Sequence, residues 1–243
     1  MRPIHAGAVV CAVMMLAGCG SDTEEGAGPS TGVETTTQSA PPPVTTTAAP
    51  ATPTLVPAAA GADLLLKRSE LGEIIGDTDL VELGTLTKWE RQDVNIEPWP
   101  CRARALAGEE GLSGDTITLA GNVNRGARKQ SVDQVVAIFE KPTEITASTG
   151  VMWIIEEQWR DCPDGDIFFI EVEGKDQRWV PYPITTGPDR IGTTFQRDGL
   201  PRNCHHVVAH RANVLADVIV CGDGDNTAPA NTVADRILAK VPE

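Results

Sequence analysis

The chemistry-bearing residues of this chain are few, and most sit in its C-terminal half. His205, His206 and His210 form a local cluster. On a helix, His206 and His210 would share a face and could grip a metal. The surrounding residues read as strand, where the same two lie about two pleats apart, too far to chelate closely. The set is therefore expected to be hydrogen-bonded or solvated, with no metal centre. Asp217 stands inside the apolar run Val214 to Val220, and strand alternation groups it with Asn213, Leu215 and Ile219. If that face is the core, Asp217 is a buried carboxylate that needs an Arg or several N–H donors. A structural ion pair is the primary expectation, and a place in the lining of a ligand cleft is the alternative. Glu156 and Glu157 are adjacent and point to different helix faces, a poor acid/base pair. No G-x-S-x-G elbow, H-E-x-x-H, P-loop or dinucleotide fingerprint occurs. No catalytic residue, metal ligand or cofactor is assigned.

The N-terminus is an address. Arg2 supplies a positive start, and Ala6 to Ala17 is apolar and broken only by Gly7. That is the anatomy of an export signal, too short to span a membrane as a mature helix. It ends in Leu16-Ala17-Gly18-Cys19, which resembles the bacterial lipobox, in which the Cys takes a diacylglyceryl thioether and becomes the new N-terminus after cleavage. The competing reading is an ordinary signal with a chance Cys. Two or three acyl chains give stable anchoring where one is marginal. Residues 1–18 are thus expected to be a lipoprotein signal and Cys19 the lipid attachment point, on the outer face of the cell membrane.

Of the six cysteines, Cys11 lies in the discarded signal and Cys19 carries the lipid, leaving Cys101, Cys162, Cys204 and Cys221. An even number in an exported domain favours disulfides. Cys204 and Cys221 flank a run whose midpoint, Ala212-Asn213, reads as a hairpin turn, so the two would face one another across paired strands. Cys101 and Cys162 are then left to pair across a long loop. A four-Cys zinc site is the rival, disfavoured because no Cys-x-x-Cys spacing exists.

The elements that must position these residues follow from pattern. Of 243 residues, 20 are Lys or Arg and 34 Asp or Glu, a formal net charge of −14 that repels nucleic-acid backbones. Thr, Pro and Ala dominate from Gly20 to Ala60, with little to bury, so residues 19–60 are expected to be a lipid-anchored disordered tether. Residues 61–243 suffice for one domain. Leu71, Ile74 and Ile75 suit a helix face following Leu64-Leu65-Leu66, with Gly76 as its C-cap. Ser131 to Phe139 reads as a strand stopped by Pro142. Val151, Ile154, Ile155 and Trp159 fall at helical spacing, and Trp153 and Trp159 are expected to pack in the core. The fates of Trp89, Trp99 and Trp179 are less evident from their irregular segments. Strand-like runs follow at Ile167 to Val172, Arg178 to Tyr182, Ile191 to Phe195 and Val207 to Val220. Ala230, Val233, Ile237 and Val241 mark a closing amphipathic helix. Helices at both ends with mainly antiparallel strands between them predict an α+β fold.

Together, Trp159-Arg160-Asp161-Cys162, Arg178-Trp179, Cys204-His205-His206-Val207-Val208-Ala209, Asn213-Val214-Leu215-Ala216-Asp217-Val218 and Cys221-Gly222 resemble the PknH-like extracellular sensor domain. The opening leucines, Pro100-Cys101 and the closing helix fit it as well. The likeness covers essentially residues 61–243. It implies a twisted antiparallel sheet flanked by helices, a wide cleft, and disulfides pairing first with second and third with fourth Cys. In that family the domain is the outward part of an actinobacterial Ser/Thr kinase or a freestanding lipoprotein. The resemblance implies non-enzymatic binding of a small or extended envelope ligand, with a membrane Ser/Thr kinase of the family as a candidate partner. The chain departs from the kinase members in having no kinase domain and no membrane-spanning run. The rival reading is an envelope hydrolase acting on glycolipid or peptidoglycan through an unrecognised carboxylate site.

Overall fold

The runs richest in β-branched and apolar residues pair with one another at the middle of a single antiparallel sheet. These are β4 (Ser131–Phe139), β9 (Arg202–Arg211) and β10 (Val214–Asp223), with Asp217 of β10 opposite Val135 on one side and Val208 on the other. The structure is a computed structural model, and it describes residues 54–87, 94–109 and 116–242. Around the centre lie β1 (Val81–Leu86), β2 (Ile96–Glu97), β3 (Thr116–Arg125), β5 (Phe168–Val172), β6 (Lys175–Pro181), β7 (Thr185–Thr186) and β8 (Arg190–Arg197). Their order is β1-β3-β4-β10-β9-β8-β6-β5-β2, with β7 added on β8. Every pairing among the described strands is antiparallel, the mixed α+β architecture that the pattern predicts.

Strand period two divides the core into two layers. Val132, Val136, Val207, Val214, Ala216, Val218 and Val220 line one face. Over them lie α1 (Gly61–Leu64), α2 (Arg68–Ile75) and α6 (Thr227–Leu238), through Leu64, Leu71, Val233 and Ile237. The other face carries Ala137, Phe139, Val208 and Leu215. It is covered by α3 (Arg102–Ala105), α4 (Pro142–Thr146) and α5 (Val151–Arg160), through Ala103, Ile145, Ile155 and Trp159. Each such side chain taken fully from water contributes about 1.5–3 kcal/mol before entropy is counted. Further along that face Phe195 packs edge-on to both Phe168 and Trp179.

Both disulfides are the expected ones. Cys204 and Cys221 are direct register partners on β9 and β10, with Cα atoms 4.0 Å apart, and the turn between the strands is Ala212-Asn213. Cys101 and Cys162 join the start of α3 to the end of α5, Cα to Cα 4.7 Å. Cys11 and Cys19, the expected signal and the expected tether up to residue 53 lie outside the described residues, as does Trp89.

Several expectations need correction. The tether does not extend to Ala60: Val56 is only 5% exposed and belongs to the core, and a 3-10 turn runs over Ala58–Ala60. Polar composition concealed this because one apolar anchor suffices when a distant side chain satisfies its backbone. The leucine-rich segment is two helices, since α2 starts afresh at Arg68, where the Glu70 carboxylate accepts the Lys67 N–H at 2.8 Å. Gly76 does cap it, at φ 69°. Pro142 does more than end a strand, because it opens α4. Trp159 is fully buried, but Trp153 is 48% exposed, since residues 151, 155 and 159 form the inward stripe of α5 and 153 lies across the helix from them. Trp99 is exposed and Trp179 buried.

Candidate functional site

Successive residues of a strand point to opposite faces, and on β9 this sends two adjacent histidines into different surroundings. His206 goes to the α3–α5 face, where neither it nor Asp217 is exposed at all. Its Nε2 lies 2.6 Å from Asp217 Oδ1, and its Nδ1 is 3.0 Å from the Arg104 carbonyl oxygen. The Gly108 N–H donates to the other Asp217 oxygen at 2.9 Å. Both ring nitrogens thus face oxygens, which satisfies the site in two ways. Either an imidazolium donates to a carboxylate, or a neutral ring accepts from a protonated carboxyl, and the pair is neutral overall in both. Trp159 closes the site, its ring 4.5 Å from that of His206 and its Nε1 donating to the Ala103 carbonyl at 2.9 Å.

The same segment is pinned from its other side by Arg104. Its guanidinium donates to the Cys162 carbonyl at 2.6 Å, to Asp164 at 2.7 Å, to Thr193 Oγ1 at 3.0 Å and to the Tyr182 carbonyl. Burial lowers its pKa from the ordinary value, and the hydrogen bond and charge of Asp164 oppose that shift. α3 is one turn long and could not hold itself in water. The disulfide, Arg104 and the His206–Asp217 pair fix it to the sheet. With the His206 ring and the Asp217 carboxylate fully buried and their polar atoms paired, this centre holds structure and offers no face to a substrate.

His205 points the other way, beside the start of α6. It is 5% exposed, and its Nδ1 meets Thr194 Oγ1 at 2.9 Å and Thr227 Oγ1 at 3.4 Å. Burial, aided by the charge of His206 and opposed by Asp225, lowers its pKa to about 4. The ring is therefore neutral at physiological pH. It lines an open cavity of about 360 Å³, bounded by Thr185 and Thr186 of β7, Arg190 and Gly192 of β8, and Thr227 and Asn231 of α6. That volume is at the small end of the ~300–1,000 Å³ typical of ligand sites.

The structure does not bring the residues singled out from sequence into one site. Asp217 is in the sealed centre, and its partner is His206 rather than an Arg. Asn213 is in the β9–β10 turn, not on a strand face with Leu215. Its side chain accepts the Val56 N–H and donates to the Val56 and Phe139 carbonyl oxygens, all at 2.9 Å, so it clasps the N-terminal segment and lines no cleft. His210 lies further along β9, half-buried, and joins neither centre. Among the described residues no cluster of His, Cys, Asp and Glu is placed to hold a metal. Of the cavity walls, sequence reasoning singled out His205, as one of a local histidine cluster, and not the residues around it. Their only signal was a local density of Thr at 185–186 and 193–194, which points nowhere until β7 and α6 are seen to face one another.

Comparison with known proteins agrees with this architecture. The chain matches the family described as PknH-like extracellular domain over residues 56–240. Its fold is that of the crystal structure of the extracellular domain of PknH from Mycobacterium tuberculosis. The TM-score is 0.68 at 20% identity, covering 77% of this chain and 97% of that one. A structure of an uncharacterized protein from Mycobacterium smegmatis aligns at TM-score 0.33 and 11% identity, over 72% of this chain and 96% of that one. No functionally curated protein matches the chain.

Proposed function

Because this chain belongs to the PknH-like extracellular domain family, we propose that it is a lipoprotein on the outer face of the cell membrane, tethered through Cys19, whose domain binds an envelope ligand without turning it over. The observation that carries the reading is the cavity beside β7 and α6, with the buried His205 on its wall. Two further features favour binding over turnover. The four domain cysteines are spent in bridges, and the sealed His206–Asp217 pair has no access to a substrate. An envelope hydrolase would need a reachable carboxylate pair, and Glu156 is engaged by Arg160 one turn along α5. Membership of an extracellular-domain family supports an extracytoplasmic location. A membrane Ser/Thr kinase carrying the homologous domain is the partner this reading favours.

Native mass spectrometry of the exported chain tests the binding role. A co-purified adduct that disappears in His205→Ala is the expected result. Turnover of an envelope glycolipid or peptidoglycan, abolished by a single carboxylate change, overturns it. The anchor is tested separately. Cys19→Ser should lose acyl labelling and either leave the membrane or persist as unprocessed precursor, and retained acylation refutes the attachment point.

A further inference from the structure

The walls of the cavity restrict the class of molecule it can hold, an inference that rests on the ligand-binding reading above. A side chain buried as deeply as His205 normally has both polar ends satisfied. Here Nδ1 is engaged by two threonine hydroxyls, while Nε2 has no partner among the described residues and faces the cavity. Gly192 keeps that edge open: a Cβ there would stand 3.2 Å from His205 Nε2 and 3.2 Å from Thr185 Oγ1. The cavity therefore presents an uncharged ring nitrogen to its contents, beside threonine hydroxyls that both donate and accept.

The one cation in the lining is not free to receive an anion. Arg190 forms two bonds with Asp189, at 3.3 Å from Nε and 3.2 Å from an Nη, one with Asp235 at 2.9 Å and one with Asn231 Oδ1 at 3.0 Å. One guanidinium against two carboxylates leaves this corner net negative, and Asp225 adds its charge near His205. A phosphate or carboxylate entering here would meet like charge and would have to displace an existing partner of Arg190. We propose that the cavity formed by β7, β8 and the start of α6 binds a neutral polyhydroxylated group, of the class of a saccharide unit, through His205 Nε2 and the threonine hydroxyls. Sugar hydroxyls match such a lining because each can donate and accept at once.

The test is nitrogen-edited NMR of the three histidine rings of the mature chain. Titrants are glucose, mannose, galactose, maltose and trehalose, set against inorganic phosphate and glucose 6-phosphate. A neutral saccharide should move the His205 Nε2 resonance saturably and leave the sealed His206 ring in place. Phosphate should bind at least about tenfold more weakly, the scale set by one misplaced charge or hydrogen bond. His205→Ala and Thr186→Val should each weaken the saccharide by several-fold. The Thr186 side chain is exposed and makes no side-chain hydrogen bond among the described residues, so its variant reports binding without threatening the fold. If phosphate moves His205 more tightly than every saccharide, the ligand class is wrong while the ligand-binding reading stands. If no saccharide moves the ring, the proposal is overturned; if the native adduct also survives His205→Ala, the cavity is not the site at all.

Discussion

His205 and His206 are neighbours in sequence and opposites in circumstance. His206 is locked among Asp217, Arg104, Gly108 and Trp159 under α3 and α5. His205 lies on a cavity wall beneath the first turn of α6, with one nitrogen spoken for and one turned outward. Strand alternation separates them, but what decides their roles is the covering of each face. Trp159 and the disulfide-held α3 close one side completely. On the other, α6 begins just beyond the His205 ring, and the short β7 leaves a gap. One face uses polar groups to specify a packing arrangement, the other to present chemistry to a visitor.

The comparison breaks first at Asp217. Asp217→Ala strands the His206 ring and the Gly108 N–H in the sealed centre, and removing one partner of a buried pair costs about 3–5 kcal/mol. Urea melts at neutral pH should show that loss whether or not ligand is present. A loss below about 1 kcal/mol would mean that this face is not the rigid one. Next in size is the bridge that fastens α3 to α5. Cys101 and Cys162 are 61 residues apart, and replacing both by Ser removes a loop constraint of about 4 kcal/mol in the chain-entropy model. If the sealed face depends on that anchor, His206 amide and ring exchange should quicken in the variant while His205 does not change. Equal change at both histidines would show the faces to be one cooperative unit.

The open face is sharpened by pH. His205 titrates near 6.5 when unfolded and about 4 when folded, because burial penalises its charged form. Between those values the unfolded chain binds more protons, so the stabilisation is fully present above about pH 6.5 and is lost as pH falls toward 4. The loss should be on the order of 2 kcal/mol, after discounting for a ring that opens onto a cavity. His205→Gln should flatten that part of the stability–pH curve, and an unchanged slope would mean the ring is as solvated as a free imidazole. The smallest expected effect is on α5, where Trp153→Ala should stay within about 0.5 kcal/mol of the parent by thermal melt. A larger loss would show that its exposed indole covers something.

How much could be read from the chain depended on whether a signal was local. The β9–β10 hairpin was legible because it is one continuous run with a turn at its midpoint, and the Cys204–Cys221 pairing follows from the same geometry. β4 and α5 were legible from their apolar period. The edge strand β1 was not, because Val81 and Leu83 are exposed and the run carries a glycine, so no alternation marks it. Strand β3 pairs along the whole of β4, yet its asparagines and glycine break the apolar pattern that would have revealed it. The role of Asn213 was hidden for another reason: its partner, Val56, is 157 residues away in a segment whose composition reads as linker.

By itself, then, the sequence determined the class of fold, the pairing of the domain cysteines and the burial of Asp217, all of which rest on strand period, turn chemistry and the cost of an unpaired charge. It also carries Leu16-Ala17-Gly18-Cys19, the stretch on which the proposed anchor rests. Tertiary structure alone decided that Asp217 pairs with His206 instead of an arginine, that Asn213 holds the entering chain, and that Thr185, Thr186, Gly192, His205 and Asn231 surround one space. Those outcomes depend on contacts between elements far apart along the chain, and periodicity says which way a side chain points but not what will be waiting there.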